Sequence, residues 1–305
     1  MIFSFSAKTT AGTVRPVNQD SCAVFTARLR GRGVLLAAVC DGLGGLQLGE
    51  AASSEVIRRL DDWFHNSLPR LEDGPSFLDA VQFRLSALLQ NCSQGFFRYG
   101  RAHGLQLGTT AALLFLWEGS YLALNVGDSR LYQVGKGIRR LTRDQSFVAR
   151  ELERGAMTEE EARRHPKRNL LLQCVGGPGE LSPGVSRGRA EGEETYLLCS
   201  DGLVHEVWEA EMETFLSPAR ASSREELEAA LDTLIQRAMV RGERDNITGV
   251  AVRTAVDRPQ GAPTLRQRLG RKPGGGLAGV PVFQPGDSLR LLAEQRIPQG
   301  WGEYF

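Results

Sequence analysis

Histidine is scarce in this sequence. Only His65, His103, His165 and His205 occur, and no two stand in a His-x-x-x-His pair. The five cysteines, at 22, 40, 92, 174 and 199, form no Cys-x-x-Cys. Together these absences exclude the usual zinc cages. An odd number of cysteines, three of them (Cys22, Cys40 and Cys199) in apolar strand-like runs, argues for buried reduced thiols in a cytoplasmic protein. Long apolar stretches are also missing. The longest uninterrupted runs, Val34–Cys40 and Ala111–Trp117, have seven residues each, too few to cross a bilayer. The N-terminus shows no basic segment followed by a long apolar one, so no signal peptide is expected. Neither sign of charge dominates. With 37 basic and 36 acidic residues, net charge +1, there is no electrostatic case for a nucleic-acid or anionic-membrane partner. No internal repeat is present.

What remains is a chain of 305 residues whose first 255 or so read as one globular unit. Strand-like runs occur at 21–26, 34–40, 111–117, 120–126, 130–134, 195–199 and 247–253. Short glycine-containing turns, Glu118–Gly119 and Gly135–Gly137, join neighbouring runs as hairpins. Apolar spacing of three and four predicts helices over 49–67, 75–99 and 224–240. Ser223 with Glu226, and Thr158 with Glu161, form capping-box patterns, the second opening a short helix over 158–165. Blocks of helices between groups of hairpins favour layered antiparallel sheets covered by helices, an α+β class. From 257 to 305 the composition changes to nine glycines and six prolines. This segment reads as a linker followed by a tail that is partly disordered or docks back. Within the tail, Asp287 or Ser288 could cap a short helix.

The stretch A-A-V-C-D-G-L-G-G at 37–45 raises the functional question. A dinucleotide loop would need Gly-x-Gly-x-x-Gly, but Gln47 stands where the third glycine belongs. The pattern that recurs instead is an aspartate at a strand end. Asp41, Asp128 and Asp201 follow apolar runs, and Asp20 and Asp245 precede them. One such aspartate is an ordinary turn residue. Five at strand ends would converge in space and repel one another unless a cation lies among them. Oxygen ligands without a His/Cys cluster point to a hard divalent ion such as Mg2+ or Mn2+. His205, close behind Asp201, is the histidine nearest this set in the sequence.

In order along the chain stand V-R-P-V-N-Q-D (14–20), D-G-L-G-G (41–45), G-T-T (108–110), N-V-G-D-S-R (125–130), L-T-R-D-Q-S (141–146), C-S-D-G-L (199–203) and R-D-N-I-T (244–248). This series resembles the bacterial type 2C metal-dependent protein serine/threonine phosphatases over about residues 8–253. The resemblance implies a four-layer α-β-β-α sandwich of two antiparallel sheets flanked by helices. It implies a catalytic domain over 1–256 with a flap at about 146–177. It also implies hydrolysis of phosphoserine and phosphothreonine in proteins at a centre of two Mg2+ or Mn2+ ions, in opposition to a Ser/Thr kinase. By that resemblance Asp41 would bridge both metals, Asp201 and Asp245 would complete the first metal's ligands, and the Gly42 carbonyl would reach the second. Asp128 would serve a third, weaker site shared with Asp201. Arg15 would bind the substrate phosphate. Asp20 and Gln19 would reach a metal through water, and Gly44 and Gly45 would let the chain turn close to the site. The chain departs from the family at Gln19, often glutamate there; at Leu43, a histidine in some eukaryotic relatives; and at Gln145, where histidine is frequent. Phosphorylated proteins, including a Ser/Thr kinase, are the expected partners, and a monomer is expected. The alternative is a catalytically weak phosphoprotein-binding scaffold of the same fold.

Overall fold

The computed structural model describes residues 1–43, 48–190, 192–255, 288–293 and 301–305. These form two antiparallel sheets with helices on the outer face of each. One sheet has the order β1 (Ile2–Thr10), β10 (Ile247–Ala255), β9 (Glu194–Cys199), β6 (Arg130–Val134), β7 (Ile138–Arg140). The other runs β11 (Ser288–Leu291), β2 (Asp20–Leu29), β3 (Arg32–Asp41), β4 (Ala111–Trp117), β5 (Ser120–Val126), β8 (Gly184–Arg189). Helices α1 (Gly49–Asp62) and α2 (Phe77–His103) cover the six-stranded sheet, and α1 runs on into a π-helical turn at Trp63–Ser67. The five-stranded sheet is covered by α5 (Asp201–Val204), α6 (Glu209–Leu216) and α7 (Arg224–Val240).

The apolar runs of the central strands are continuous because those strands are buried on both faces. Along β3, Val34, Leu36, Ala38 and Cys40 pack under α1 and α2, while Leu35, Ala37 and Val39 face the other sheet. The two-residue period of a strand thus places Asp41 on the inter-sheet side. On β2, Cys22 and Val24 face between the sheets and Ala23 and Phe25 face the helices. Asp20 therefore takes the inter-sheet side and Ser21 the helix side.

Local signals behave as the sequence suggests. The β4–β5 hairpin turns through Glu118 and Gly119, both at positive φ, the primed geometry that matches strand twist. Both capping boxes form, Thr158 with Glu161 at the start of α4 (Glu159–Arg164) and Ser223 with Glu226 at the start of α7. All five cysteines are free, and all but Cys174 are buried.

One expectation is overturned. Residues at 288–291 form a strand, β11, where a short helix was expected. Its four residues pair antiparallel with the edge strand β2, Ser288 opposite Phe25 and Leu291 opposite Cys22. Four residues are too few to hold a helix alone, whereas the open edge of β2 offers a ready ladder of N–H and C=O groups. Trp301, Tyr304 and Phe305 then pack on Phe96, Tyr99 and His103 of α2. Gly44 and Gly45, and the glycine-rich linker at 273–276, lie outside the described residues.

Candidate active site

Strand register brings the five aspartates to one end of the sandwich. The end of β3 lies beside the start of β2, Asp41 directly opposite Asp20. Val39 faces Ala112 near the start of β4, and Ala111 faces Val126 at the end of β5. From there the chain crosses between sheets through Asp128 into β6, whose Arg130 faces Cys199 at the end of β9. Asp201 follows, and Gly249, opposite Cys199, lies just past Asp245.

Asp20 is fully buried and joins the two sheets. One oxygen, Oδ2, accepts from the hydroxyls of Ser200 (2.9 Å) and Thr248 (2.6 Å), both on the opposite sheet. Its other oxygen, Oδ1, has no partner. Asp201 likewise has one buried oxygen without a partner, and its carboxyl is within hydrogen-bonding reach of Asp41. Asp245 receives two bonds from Arg15, Nε to Oδ1 at 3.0 Å and a terminal nitrogen to Oδ2 at 2.7 Å. That pairing raises the Arg15 pKa further.

Crowding shows in the carboxyl pKa values. Burial, followed by the charges of Asp20, Asp201, Asp128 and Asp245, pushes Asp41 well above the usual range. Burial and its acidic neighbours lift Asp20 to about 7, against the pull of Thr248 and Ser200. Burial, then Asp201, then Asp144 lift Asp128 to about 8. Asp201 is raised by burial, with His205 opposing the shift. Besides Arg15, His205 is a resident counter-charge. Its ring stands 3.6 Å from Asp201 and 3.3 Å from Glu243. Burial alone would lower its pKa, but Glu243 and Asp201 carry it up to about 9.

These residues suit a divalent cation better than they suit one another. Among the described residues no three ligating side chains close into a cage, because Asp245 turns to Arg15 and Asp20 to two hydroxyls. Two buried carboxylate oxygens nonetheless lack any partner, in a cluster whose acidic members together raise Asp41. Oxygen-only donors of this kind fit Mg2+ or Mn2+. A consequence is testable in chelated protein. Asp20 and Asp128 hold protons more tightly folded than unfolded, between the ordinary value of 3.8 and about 7 or 8. The stability this provides is complete at low pH and is lost as pH rises through those values. His205 acts in the same sense between 6.5 and about 9. The melting temperature of metal-free protein is therefore expected to fall between pH 5.5 and 8.5, and saturating Mn2+ to restore it most at the upper end. A metal-free melting temperature that climbs over this range would contradict the crowding.

Uncharged residues hold the cluster, and charge-based reading of the sequence missed them. Thr110 accepts the Asp41 N–H on its hydroxyl (3.0 Å) and donates its own N–H to the Asp41 carbonyl (2.8 Å). Thr109 also donates its hydroxyl to that carbonyl (2.8 Å). Asn246 accepts the Gln19 N–H and donates to the carbonyls of Ala11 and Val17, pinning the loop that carries Arg15. Gln145 accepts the Gly127 N–H and donates to the Ser182 carbonyl, bracing the crossover beside Asp128. All sit inside the quoted motifs; adjacency to an aspartate was the available signal for Asn246 and Gln145, and only the Gly-Thr-Thr motif itself for Thr109 and Thr110. The Gln19 side chain donates to Glu50 (2.9 Å). The Gly42 N–H donates to the Gln19 carbonyl (3.2 Å).

A model of the family described as protein phosphatase 2C matches residues 13–236, most of the chain. The chain belongs to the protein phosphatase 2C family. Among curated relatives of this phosphatase, the serine/threonine phosphatase stp of Listeria innocua is 31% identical over 250 residues, covering 80% of this chain and 93% of that protein. The serine/threonine protein phosphatase PstP of Mycobacterium tuberculosis is 32% identical over 260 residues, covering 84% of this chain and 46% of the longer relative. Among solved structures, a bacterial serine phosphatase superposes with a TM-score of 0.73 at 27% identity, covering 83% of this chain and 98% of that one. The catalytic domain of PstP in complex with two manganese ions superposes at 0.64 with 28% identity, over 84% and 99%. The phosphatase thus has the two-sheet, helix-flanked α+β fold of its family and is a serine/threonine protein phosphatase. No helix among its described residues is long and apolar enough to cross a membrane.

Proposed function

We propose that this phosphatase hydrolyses phosphoserine and phosphothreonine in proteins at a centre of two Mg2+ or Mn2+ ions, opposing a Ser/Thr kinase in the cytoplasm. The observation that carries the reading is the pair of unpartnered buried oxygens, on Asp20 and Asp201, inside a five-aspartate cluster at one end of both sheets. Asp41, Asp201, Asp245 and the Gly42 carbonyl would hold the two ions, with Asp20 and Gln19 reaching them through water. Asp201 raises the proton affinity of Asp128, and the two together suit a third and weaker site. When bound, the ions acidify water near neutral pH and neutralise phosphoryl charge.

The chain's own groups supply the remaining steps. Arg15 presents a planar two-pronged donor, at present spent on Asp245. With Asp245 engaged by a cation, the same fork is free for a phosphate dianion. Its side chain is 38% exposed, so a phosphoprotein can reach it. Cys22, Cys40, Cys92 and Cys199 are buried and their thiols held protonated by that burial, which removes them as nucleophiles. Leu43 offers no proton to the leaving group.

The segment over 146–177 is proposed as the substrate-contacting flap. It carries α3 (Phe147–Glu153) and α4, closes on itself through a bridge between Ser146 and Leu171, and is tied to the body where Val175 pairs with Thr109 and the Gly176 N–H donates to the Ser93 hydroxyl. Arg163 of α4 lies 4.0 Å over the ring of the exposed Trp208. The assay that tests the function is release of phosphate from a phosphothreonine peptide with Mn2+, with and without chelator. Turnover that depends on the metal is expected. Folded protein that releases nothing, or releases equally in chelator, would refute the proposal.

A further inference from the structure

Ser21 and Ser53 make hydrogen bonds that the catalytic reading leaves unused. Ser21 follows Asp20 on β2 and so faces the helix layer, where it meets Ser53 of α1. Both are fully buried. The Ser53 hydroxyl lies 2.6 Å from the Gln19 carbonyl, with the Glu50 carbonyl a longer alternative at 3.2 Å. Ser21 Oγ lies 3.0 Å from Ser53 Oγ, and the Ala293 N–H donates to Ser21 Oγ at 3.0 Å. A hydroxyl carries one proton. Since the proton of Ser53 goes to a carbonyl, Ser21 is the donor between the two serines. The bonds therefore run one way, from the Ala293 N–H through Ser21 and Ser53 to the Gln19 carbonyl. That carbonyl also takes the Gly42 N–H. Aligned bonds in a dry setting strengthen one another.

The donor end belongs to the C-terminal segment, which is fastened on both sides of Ala293. Before it, β11 pairs with β2. After it, the Trp301 indole N–H donates to the buried carboxylate of Glu55 (3.1 Å) and its ring lies 5.6 Å from that of Phe96. Phe305 fits against Gly95, where an added Cβ would stand 2.4 Å from the ring. Arg98 donates to the Tyr304 carbonyl (2.8 Å).

We propose that Ser21 and Ser53 are positioning residues through which the docked C-terminal segment sets the Gln19–Gly42 backbone at the metal-binding edge. The inference rests on the two-metal reading above. It assigns the tail a part in tuning that edge, beyond covering the apolar face of α2.

The test uses full-length Ser21→Ala, Ser53→Ala and Ala293→Pro, the last removing the N–H that starts the chain. Mn2+ affinity is measured by titration calorimetry well below each melting temperature, and exchange of the Gly42 amide by NMR. All three variants are expected to bind Mn2+ about tenfold more weakly, the size of effect seen when a supporting hydrogen bond behind a metal ligand is removed. The Gly42 amide should exchange faster in each. Lower melting temperatures with unchanged affinity and unchanged Gly42 exchange in Ser21→Ala and Ser53→Ala would overturn the proposal. A shift in the serine variants with none in Ala293→Pro would overturn the tail's part in it. Should wild-type protein bind no Mn2+, the two-metal reading fails, and Gly42 exchange still reads the relay.

Discussion

Asp41→Asn is expected to abolish metal-dependent phosphate release while leaving the fold in place. Asp41 ends β3 on the inter-sheet side, opposite Asp20 and within reach of Asp201. Its backbone is gripped by Thr109 and Thr110 through contacts that the substitution does not touch. An amide of the same shape loses the negative charge the cations need, and removes a buried carboxyl that burial and four acidic neighbours hold well above the usual range. Charge stabilisation by a catalytic metal amounts to several kcal/mol, so a loss of at least about 10³-fold in kcat/KM is expected. The metal-free variant should melt no lower than metal-free wild type, because a neutral amide replaces a buried carboxyl whose ionisation burial and its acidic neighbours oppose. Retained activity in Asp41→Asn would remove Asp41 from the centre of the mechanism.

Gly42→Ala is expected to have the largest effect on stability. A Cβ there would stand 2.4 Å from the Gly49 carbonyl oxygen, 2.6 Å from the Gln19 carbonyl oxygen and 2.6 Å from the Gly49 carbonyl carbon. All three are backbone atoms, so no side-chain rotation relieves the clash, and α1 must retreat from the β2–β3 edge. Overpacking of this kind costs about 3 kcal/mol. For a domain of this size that corresponds to a drop of roughly 6–12 °C in melting temperature, read by calorimetry. Because Gly42 N–H also bonds the Gln19 carbonyl, Mn2+ affinity should fall with it. A variant that melts like wild type would mean that the close approach of α1 to this edge is not maintained in solution.

The central strands were legible because burial on both faces leaves a continuous apolar run, as in Val34–Cys40. Others were hidden by their position. β8, Gly-Val-Ser-Arg-Gly-Arg, is an edge strand with alternating exposure and two glycines, and it pairs through backbone that sequence does not display. β11 depends on an edge contributed by β2, more than 250 residues earlier in the chain, so local capping signals pointed elsewhere. The site divides in the same way. The aspartates announced themselves by charge at the ends of apolar runs. Ser200 and Thr248 did not, since their bonds to Asp20 span 180 and 228 residues and exist only once the two sheets face each other. Gln145, which departs from a frequent histidine, braces Gly127 and Ser182 through its amide, a role that the sequence does not display.

The most direct measurement is calorimetric titration of full-length protein with Mn2+ near pH 7.5, in buffers of different ionisation enthalpy, for wild type and Asp41→Asn. Two ions are expected to bind per wild-type chain, with net proton release, because at this pH Asp128, lifted to about 8, still holds its proton and Asp20, at about 7, is partly protonated until a cation displaces them. Asp41→Asn is expected to bind neither ion tightly. Wild-type protein that binds no Mn2+, or a variant that binds two ions as tightly as wild type, would contradict the two-metal centre.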